Sequence, residues 1–226
     1  MPKLYIVATP IGNLSDITFR AVETLKSADF ILAEDTRITR KLLSHYGISK
    51  PLISFREHSS PKALERILNL LAEGKDLALV ADAGTPGISD PGQRLIKAAK
   101  NIAEIVAIPG PSSLAAIISV SDIELPEFSF LGFPPRKKGR QTFFKKTAKQ
   151  LADGMPVILF ESPHRIQKTL KEVESACGDR YANIGRELTK MYEEVFRGNF
   201  SGAQKYFTGE KQRGEFVIII SCTDFT

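Results

Sequence analysis

Cysteine and histidine are scarce in this chain, and their scarcity removes several kinds of chemistry at once. The two cysteines, Cys177 and Cys222, lie far apart and make no metal-type spacing, so both are read as reduced and structural. His45, His58 and His164 are scattered without ligand spacing to one another or to a cysteine, which leaves metal catalysis without footing. Long apolar runs are missing as well. The start, MPKLYIVATP, has one lysine and a short apolar run broken by Pro10, so neither a signal peptide nor a membrane span is expected and the protein is expected in the cytosol. No G-x-G-x-x-G follows the first apolar run and no G-x-x-x-x-G-K-[ST] occurs, so the dinucleotide fingerprint and the P-loop are both absent. Ser112 and Ser113 sit in PGPSSLA, which is not the G-x-S-x-G of a serine hydrolase.

What remains is an ordinary globular composition, 42% apolar and 25% charged, with no repeat or low-complexity tract. At 226 residues, one large α/β domain or two domains of about 100 residues are the options. The net charge of +5 is a local matter. Arg136, Lys137, Lys138, Arg140, Lys145, Lys146 and Lys149 fall in one stretch with no acid among them, and without them the chain is slightly acidic. A single cationic stretch points to an anionic partner at one place, the alternative being a solvated, solubilising loop.

The first half alternates short apolar runs with helix-period segments. LYIVA (4–8), DFILAE (29–34), PLISF (51–55), LALVA (77–81) and EIVAI (104–108) read as uninterrupted strands, each followed by a helical pattern. Ser15 or Asp16 is expected to cap the first helix, Thr36 the second, and Ser60 with Pro61 the third. Such a series predicts a parallel sheet with helices on both faces. The segment 121–128, with Pro126, reads as a linker, which gives domains 1–121 and 128–226 with an active-site cleft expected between them. Beyond the linker come the basic helix RQTFFKKTAKQLA, the strand PVILFES (156–162), a helix over 163–176 and strands at 180–188, 192–200 and 215–221. Some of these alternate, as at Val195 and Arg197, so the second domain is expected to hold a mixed sheet.

In parallel sheets, ligands bind outside the carboxyl ends of the strands. That rule gathers four connections: 9–13, 35–40, 82–92 and 109–113. The third, DAGTPGISDPG, holds three glycines and two prolines in eleven residues, more than a change of direction needs. Asp90, ahead of Pro91, either serves the site or caps the next helix.

Together, TPIGNL (9–14), AEDTR (33–37), DAGTPGISDPG (82–92), IPGPSS (108–113), ESPHR (161–165) and REL with EEVFRG (186–188, 193–198) resemble the ribosomal RNA small subunit methyltransferase I family of the tetrapyrrole methylase-like superfamily. The resemblance runs over essentially all of 4–220. It implies two α/β domains, a homodimer, S-adenosylmethionine as methyl donor, and a cytidine ribose 2′-hydroxyl near the decoding centre of small-subunit rRNA as acceptor. Pro10, Asp82, Gly84, Thr85, Ile88, Ser112, Ser113 and Phe160 would then line the cofactor, with Glu187 closing the far side. Phe160, on a strand, has plain core as its alternative. Glu161 and Glu187 are candidate general bases, and Arg165, Arg186 or Lys190 could steady phosphate or developing charge. An equally fair account pairs Glu161 with Arg165, and Arg186 with Glu187 or Glu194, for structure alone. Arg37, Arg40, Arg136, Lys137, Lys138 and Arg140 are the expected RNA contacts. Familiar members carry a further helical tail that this sequence does not. A precorrin-type methyltransferase and a non-catalytic RNA-binding module are the competing readings.

Overall fold

A computed structural model describes residues 1–56, 58–90 and 92–223. The chain divides into two compact units, Met1–Ser112 and Ser113–Thr226.

In the first unit, β1 (Lys3–Val7), β2 (Phe30–Ala33), β3 (Leu52–Ser54), β4 (Leu77–Val80) and β5 (Glu104–Ile108) form one sheet in the order β3-β2-β4-β1-β5. Every pairing is parallel, with Ile6 opposite Leu79 and Ala107, and Leu32 opposite Leu79 and Ile53. Successive side chains on a strand point to opposite faces, so both faces of the sheet need cover. Val7, Ile31, Ala33, Ala78 and Val80 pack with Leu25 of α1 (Phe19–Ser27) and Leu43 of α2 (Thr36–His45). On the other side, Leu4, Leu32, Leu77 and Leu79 pack with Ile67 and Leu71 of α3 (Pro61–Ala72) and Leu95 of α4 (Gly92–Ala99). The parallel sheet covered on both faces is therefore as the apolar runs require.

Two helix starts differ from expectation. Residues Leu14–Asp16 form their own 3₁₀ turn capped by Asn13, so α1 begins later, with Thr18 Oγ1 accepting the Ala21 N–H at 3.1 Å. Helix α2 is capped by Asp35, whose carboxylate accepts the Arg37 N–H at 2.8 Å, and Thr36 is its first helical residue. Ser60 with Pro61 opens α3 as expected. Pro91, expected at the start of α4, lies outside the described residues.

The second unit holds β6 (Ser129–Gly132), β7 (Val157–Glu161), β8 (Tyr181–Arg186), β9 (Glu194–Asn199) and β10 (Phe216–Ile220) in the order β6-β7-β10-β8-β9. The β6–β7 pairing is parallel and the others antiparallel, so the sheet is mixed. Leu159, Ile184, Phe216 and Ile218 face a core with Phe144 and Leu151 of α6 (Arg140–Ala152), Leu170 of α7 (Ile166–Cys177) and Phe200 of α8 (Phe200–Tyr206). Helix α5 (Ser113–Ser119) packs on β8 and β10. Residues 121–128, read from sequence as a linker, are tied to β8: the buried Asn183 amide donates to Asp122 Oδ1 at 2.8 Å and accepts the Asp122 N–H at 3.1 Å.

Both thiols are free and pack against this second core. Burial pushes the Cys177 thiol up to about 11, against a small opposing effect of Arg180. The thiolate is the reactive form. At pH 8 the folded protein should therefore alkylate at Cys177 roughly 100-fold more slowly than the urea-unfolded chain, and equal rates measured by mass spectrometry would contradict a buried thiol.

Candidate functional site

The connections at the carboxyl ends of the first unit's strands are bound to one another by short hydrogen bonds. Thr9, just after β1, and Gly84, just after β4, exchange two backbone bonds, Thr9 N–H to Gly84 O at 2.9 Å and Gly84 N–H to Thr9 O at 3.0 Å. Thr85 Oγ1 donates to Pro111 O at 3.1 Å, bringing in the connection after β5. The Asp35 N–H donates to Asp82 Oδ1 at 2.8 Å, bringing in the connection after β2. Asp90 Oδ1 accepts the N–H groups of Gly87 at 2.5 Å and Gly92 at 3.3 Å, so it both braces the turn and meets the start of α4.

Gly84 is the point where these loops converge. Its φ of +77° is a left-handed conformation, and a Cβ built there would stand 3.3 Å from Ile11 Cγ2 and 3.7 Å from Pro111 O. A side chain is thus opposed by both backbone strain and crowding. Pro10 and Ile11 are buried beside it, and Ile88 is half-buried, its N–H on Thr85 O at 3.4 Å.

The electrostatics of this rim favour a cation. Partial burial, and then the neighbouring carboxylates Asp82 and Asp90, push the Glu34 carboxyl above its usual range. Asp35 goes the other way, because hydrogen bonds from Arg37 hold its carboxyl far below the usual carboxylate range. No lysine occurs in the four connecting segments. S-adenosylmethionine carries a positive sulfonium, an ammonium and a carboxylate, so a close backbone approach beside hydroxyls and acids suits it. The residues present fit that group: Pro10, Asp82, Gly84, Thr85 and Ile88 are brought together here, with Ser112 ending the unit. Thr9 and Glu34 belong to the same construction, although sequence reasoning marked their segments without choosing them.

The other expected site residues lie in the second unit. Ser113 opens α5. Phe160 is 9% exposed on β7, with ring centroids 4.8 Å from Phe130 and 5.5 Å from Phe133. Glu161 is 1% exposed, and its oxygens are taken by Arg165 at 2.7 Å, the Ser162 N–H at 2.6 Å and Thr169 Oγ1 at 2.5 Å. Arg186 pairs with Glu194 at 2.7 Å. Glu187 and Thr189 have φ of 51° and 67°, conformations costing about 1–3 kcal/mol each in non-glycine residues. This turn is held by Lys190, whose ammonium lies 2.8 Å from Glu187 Oε1 and 2.9 Å from Glu215 Oε2. Partial burial would raise the Glu187 carboxyl, but the hydrogen bonds from Lys190 and the Glu215 N–H prevail and hold it below its usual range. For Lys190, burial would lower the ammonium, and the two glutamates prevail and keep it raised. The pair is an ion pair with a firmly protonated lysine.

Among the expected RNA contacts, Arg136, Lys137, Lys138 and Arg40 are exposed and, among the described residues, unpaired. Arg37 is exposed and paired with Asp35 at 2.6 Å. Arg140 corrects the sequence expectation. It is 5% exposed and turned inward, bonded to Glu172, Pro135 O and Thr169, because helix periodicity brings position 140 to the same buried face as Phe144, Thr147 and Leu151.

Comparison with known proteins gives a consistent set of likenesses. The family model described as tetrapyrrole (corrin/porphyrin) methylases matches residues 3–204. A Thermotoga maritima protein named ribosomal RNA small subunit methyltransferase I is 46% identical over 222 residues, covering 98% of this chain and 99% of its own. A Borrelia garinii protein of the same name is 47% identical, covering 96% and 98%, and one from Halalkalibacterium halodurans is 44% identical, covering 96% and 75%. The relatives thus differ in length beyond the shared region. Among solved structures, cobalt precorrin-4 methyltransferase superposes with a TM-score of 0.72 at 19% identity, covering 97% of this chain and 94% of its own. A diphthine synthase superposes with 0.72 at 16% identity, covering 99% and 91%. At such identities these two likenesses concern the fold alone.

Gly84→Ala should cost about 1–2 kcal/mol of stability and weaken S-adenosylmethionine binding by tenfold or more, roughly 1.4 kcal/mol. Gly47, with φ of +63° and nothing within 4 Å of a built Cβ, provides the control. Gly47→Ala should cost similar stability and leave the affinity alone. Equal affinities for both variants by calorimetric titration would detach the donor from this loop.

Proposed function

The chain belongs to the tetrapyrrole (corrin/porphyrin) methylase family, and within it to the ribosomal RNA small subunit methyltransferase I proteins; from that premise we propose that it methylates small-subunit ribosomal RNA from S-adenosylmethionine, on the ribose 2′-hydroxyl of a cytidine near the decoding centre. The observation that carries the donor is the convergence on Gly84 of loops from several strands, with acids and no lysine around it. Identity of 44–47% over 96–98% of this chain to proteins named for ribosomal RNA supports an rRNA acceptor. The precorrin reading shares the family model and a likeness of fold at 19% identity, and the 44–47% identity to the proteins named for ribosomal RNA is what weighs against it.

When bound, S-adenosylmethionine supplies an electrophilic methyl carbon on a sulfonium. The chain's own residues hold the donor by backbone contact around Gly84 and Thr85, while Glu34, Asp82 and Asp90 favour its positive charge. Glu161 is enclosed, its oxygens taken by Arg165, Ser162 and Thr169, and Glu187 is held below its usual range by Lys190, so neither carboxyl is assigned as a general base. The rate therefore rests on holding the ribose oxygen in line with the methyl carbon, a contribution of about 7–11 kcal/mol when orientation is complete. The hydroxyl proton passes to water, and Lys190, kept protonated by Glu187 and Glu215, is a cation of the second unit available to steady developing negative charge. Arg136, Lys137 and Lys138 hold flanking phosphates, and the acceptor is a splayed nucleotide, since the 2′-hydroxyl is what tells RNA from DNA.

Two measurements test this reading. Replacing the target cytidine by its 2′-deoxy form should eliminate transfer and barely alter binding. A methyl group found on the base of that substituted RNA by mass spectrometry would refute 2′-O chemistry. Reversing Arg136, Lys137 and Lys138 to glutamate should weaken binding to small subunits and reduce the salt slope by roughly 0.7–0.9 for each phosphate no longer neutralised, with S-adenosylmethionine affinity unchanged. Wild-type RNA affinity at both low and high salt would mean that the segment is a solvated loop.

A further inference from the structure

The loop between β6 and α6 runs through Pro134 and Pro135 before it reaches Arg136, Lys137 and Lys138. Proline has no N–H, so beyond the burial of Pro134 the backbone of this root can be hydrogen-bonded only through its carbonyls. Two guanidiniums take them. Arg165 Nη1 donates to Pro134 O at 2.7 Å and Arg140 Nη1 donates to Pro135 O at 3.0 Å. Each arginine has its own carboxylate, Arg165 with Glu161 Oε1 at 2.7 Å and Arg140 Nε with Glu172 Oε2 at 2.7 Å. Thr169 joins the two halves, its Oγ1 accepting from Arg140 Nη2 at 2.6 Å and donating to Glu161 Oε2 at 2.5 Å. Arg140, Glu161 and Thr169 are all nine-tenths or more buried.

Arg140 and Arg165 are matched by Glu172 and Glu161, with Lys168 a further 3.9 Å from Glu172 at the partly exposed edge of the cluster. Buried ion pairs are seldom the cheapest way to make a core stable, because apolar residues of similar volume often do as well or better. What the guanidiniums add is direction, since a planar fork fixes an acceptor and a carboxylate at once. The cations beyond the prolines are left exposed and, among the described residues, unpaired. Fixing the root while leaving the tip unpaired lowers the ordering cost of meeting a polyanion.

The geometry points to Arg140, Arg165, Glu161, Glu172 and Thr169 as a clamp that sets the position of the cationic tip 136–138 against an RNA backbone. Glu161 and Arg165 are then positioning residues for RNA capture, and Glu161 has no part as a base. This inference rests on the rRNA reading above.

Arg165→Lys keeps the charge and removes the fork. The KM for small subunits should rise roughly tenfold or more, with kcat moving by less. S-adenosylmethionine affinity should hold, and amide hydrogen exchange at 136–139 should accelerate. A wild-type KM with wild-type exchange overturns the clamp. A loss confined to kcat or to melting temperature also overturns it, being what a merely structural ion pair would give. Should Arg165→Lys fail to fold, Pro135→Gly loosens the same root without touching a buried charge, and the same two readouts decide. If the wild-type chain methylates no small subunit, the rRNA reading falls alone, and the exchange rates at 136–139 still support or overturn the clamp.

Discussion

Two backbone hydrogen bonds between Thr9 and Gly84 hold the first unit's rim in shape. They form an isolated antiparallel bridge above an otherwise parallel sheet, and they exist because one residue after β4 can adopt a positive φ. With that bridge in place, Thr85 is carried to the carbonyl of Pro111, and the start of the 82–92 turn stands where Asp82 meets the Asp35 N–H. Each connection is thus tied to a neighbour that comes from a distant part of the sequence. Such ties restrict backbone freedom before any ligand arrives, which is where preorganisation has its value.

Charge is divided between the two units in a way that matches two different ligands. Partial burial, and then the nearby Asp82 and Asp90, raise the Glu34 carboxyl against the opposing pull of Arg56, so negative charge is crowded on the first rim. In the second unit the acids that could have neutralised the exposed cations are turned inward. Glu161 and Glu172 are matched with Arg165 and Arg140, leaving 136–138 to solvent. The acid-rich rim suits the small cationic donor proposed above, and the exposed cations of 136–138 suit the proposed polyanionic acceptor.

Much of the fold was legible because burial on both faces leaves a plain trace: five uninterrupted apolar runs, each followed by a helical period. The mixed second sheet was legible from alternation at Val195 and Arg197. Helix starts were less so. Asn13, Ser15, Asp16 and Thr18 are all competent caps, and only the 3₁₀ turn at Leu14–Asp16 decides in favour of Thr18. Arg140 shows a second limit. A run of like charges hides the helical phase of its members, so the one cation on the apolar face reads like its neighbours until Phe144 and Leu151 are seen beside it. The converging loops could be marked as segments, yet Thr9 was invisible as a partner, because a backbone bond leaves no mark on residue type.

The position of β1 has a consequence for how this protein is made. Among the described strands it is made first, yet it lies between β4 and β5, which end at residues 80 and 108. At about 5–20 residues per second, the opening strand waits roughly 5–20 s for the partners that cover its edges. Its apolar side chains are a liability for that interval, and its pairing is of the slow, non-local kind. The 9–13 connection matures no earlier, since Gly84 and Pro111 must first be synthesised. A nascent chain thus has no half-formed rim: the sheet and its connections close together, late in translation of the first unit.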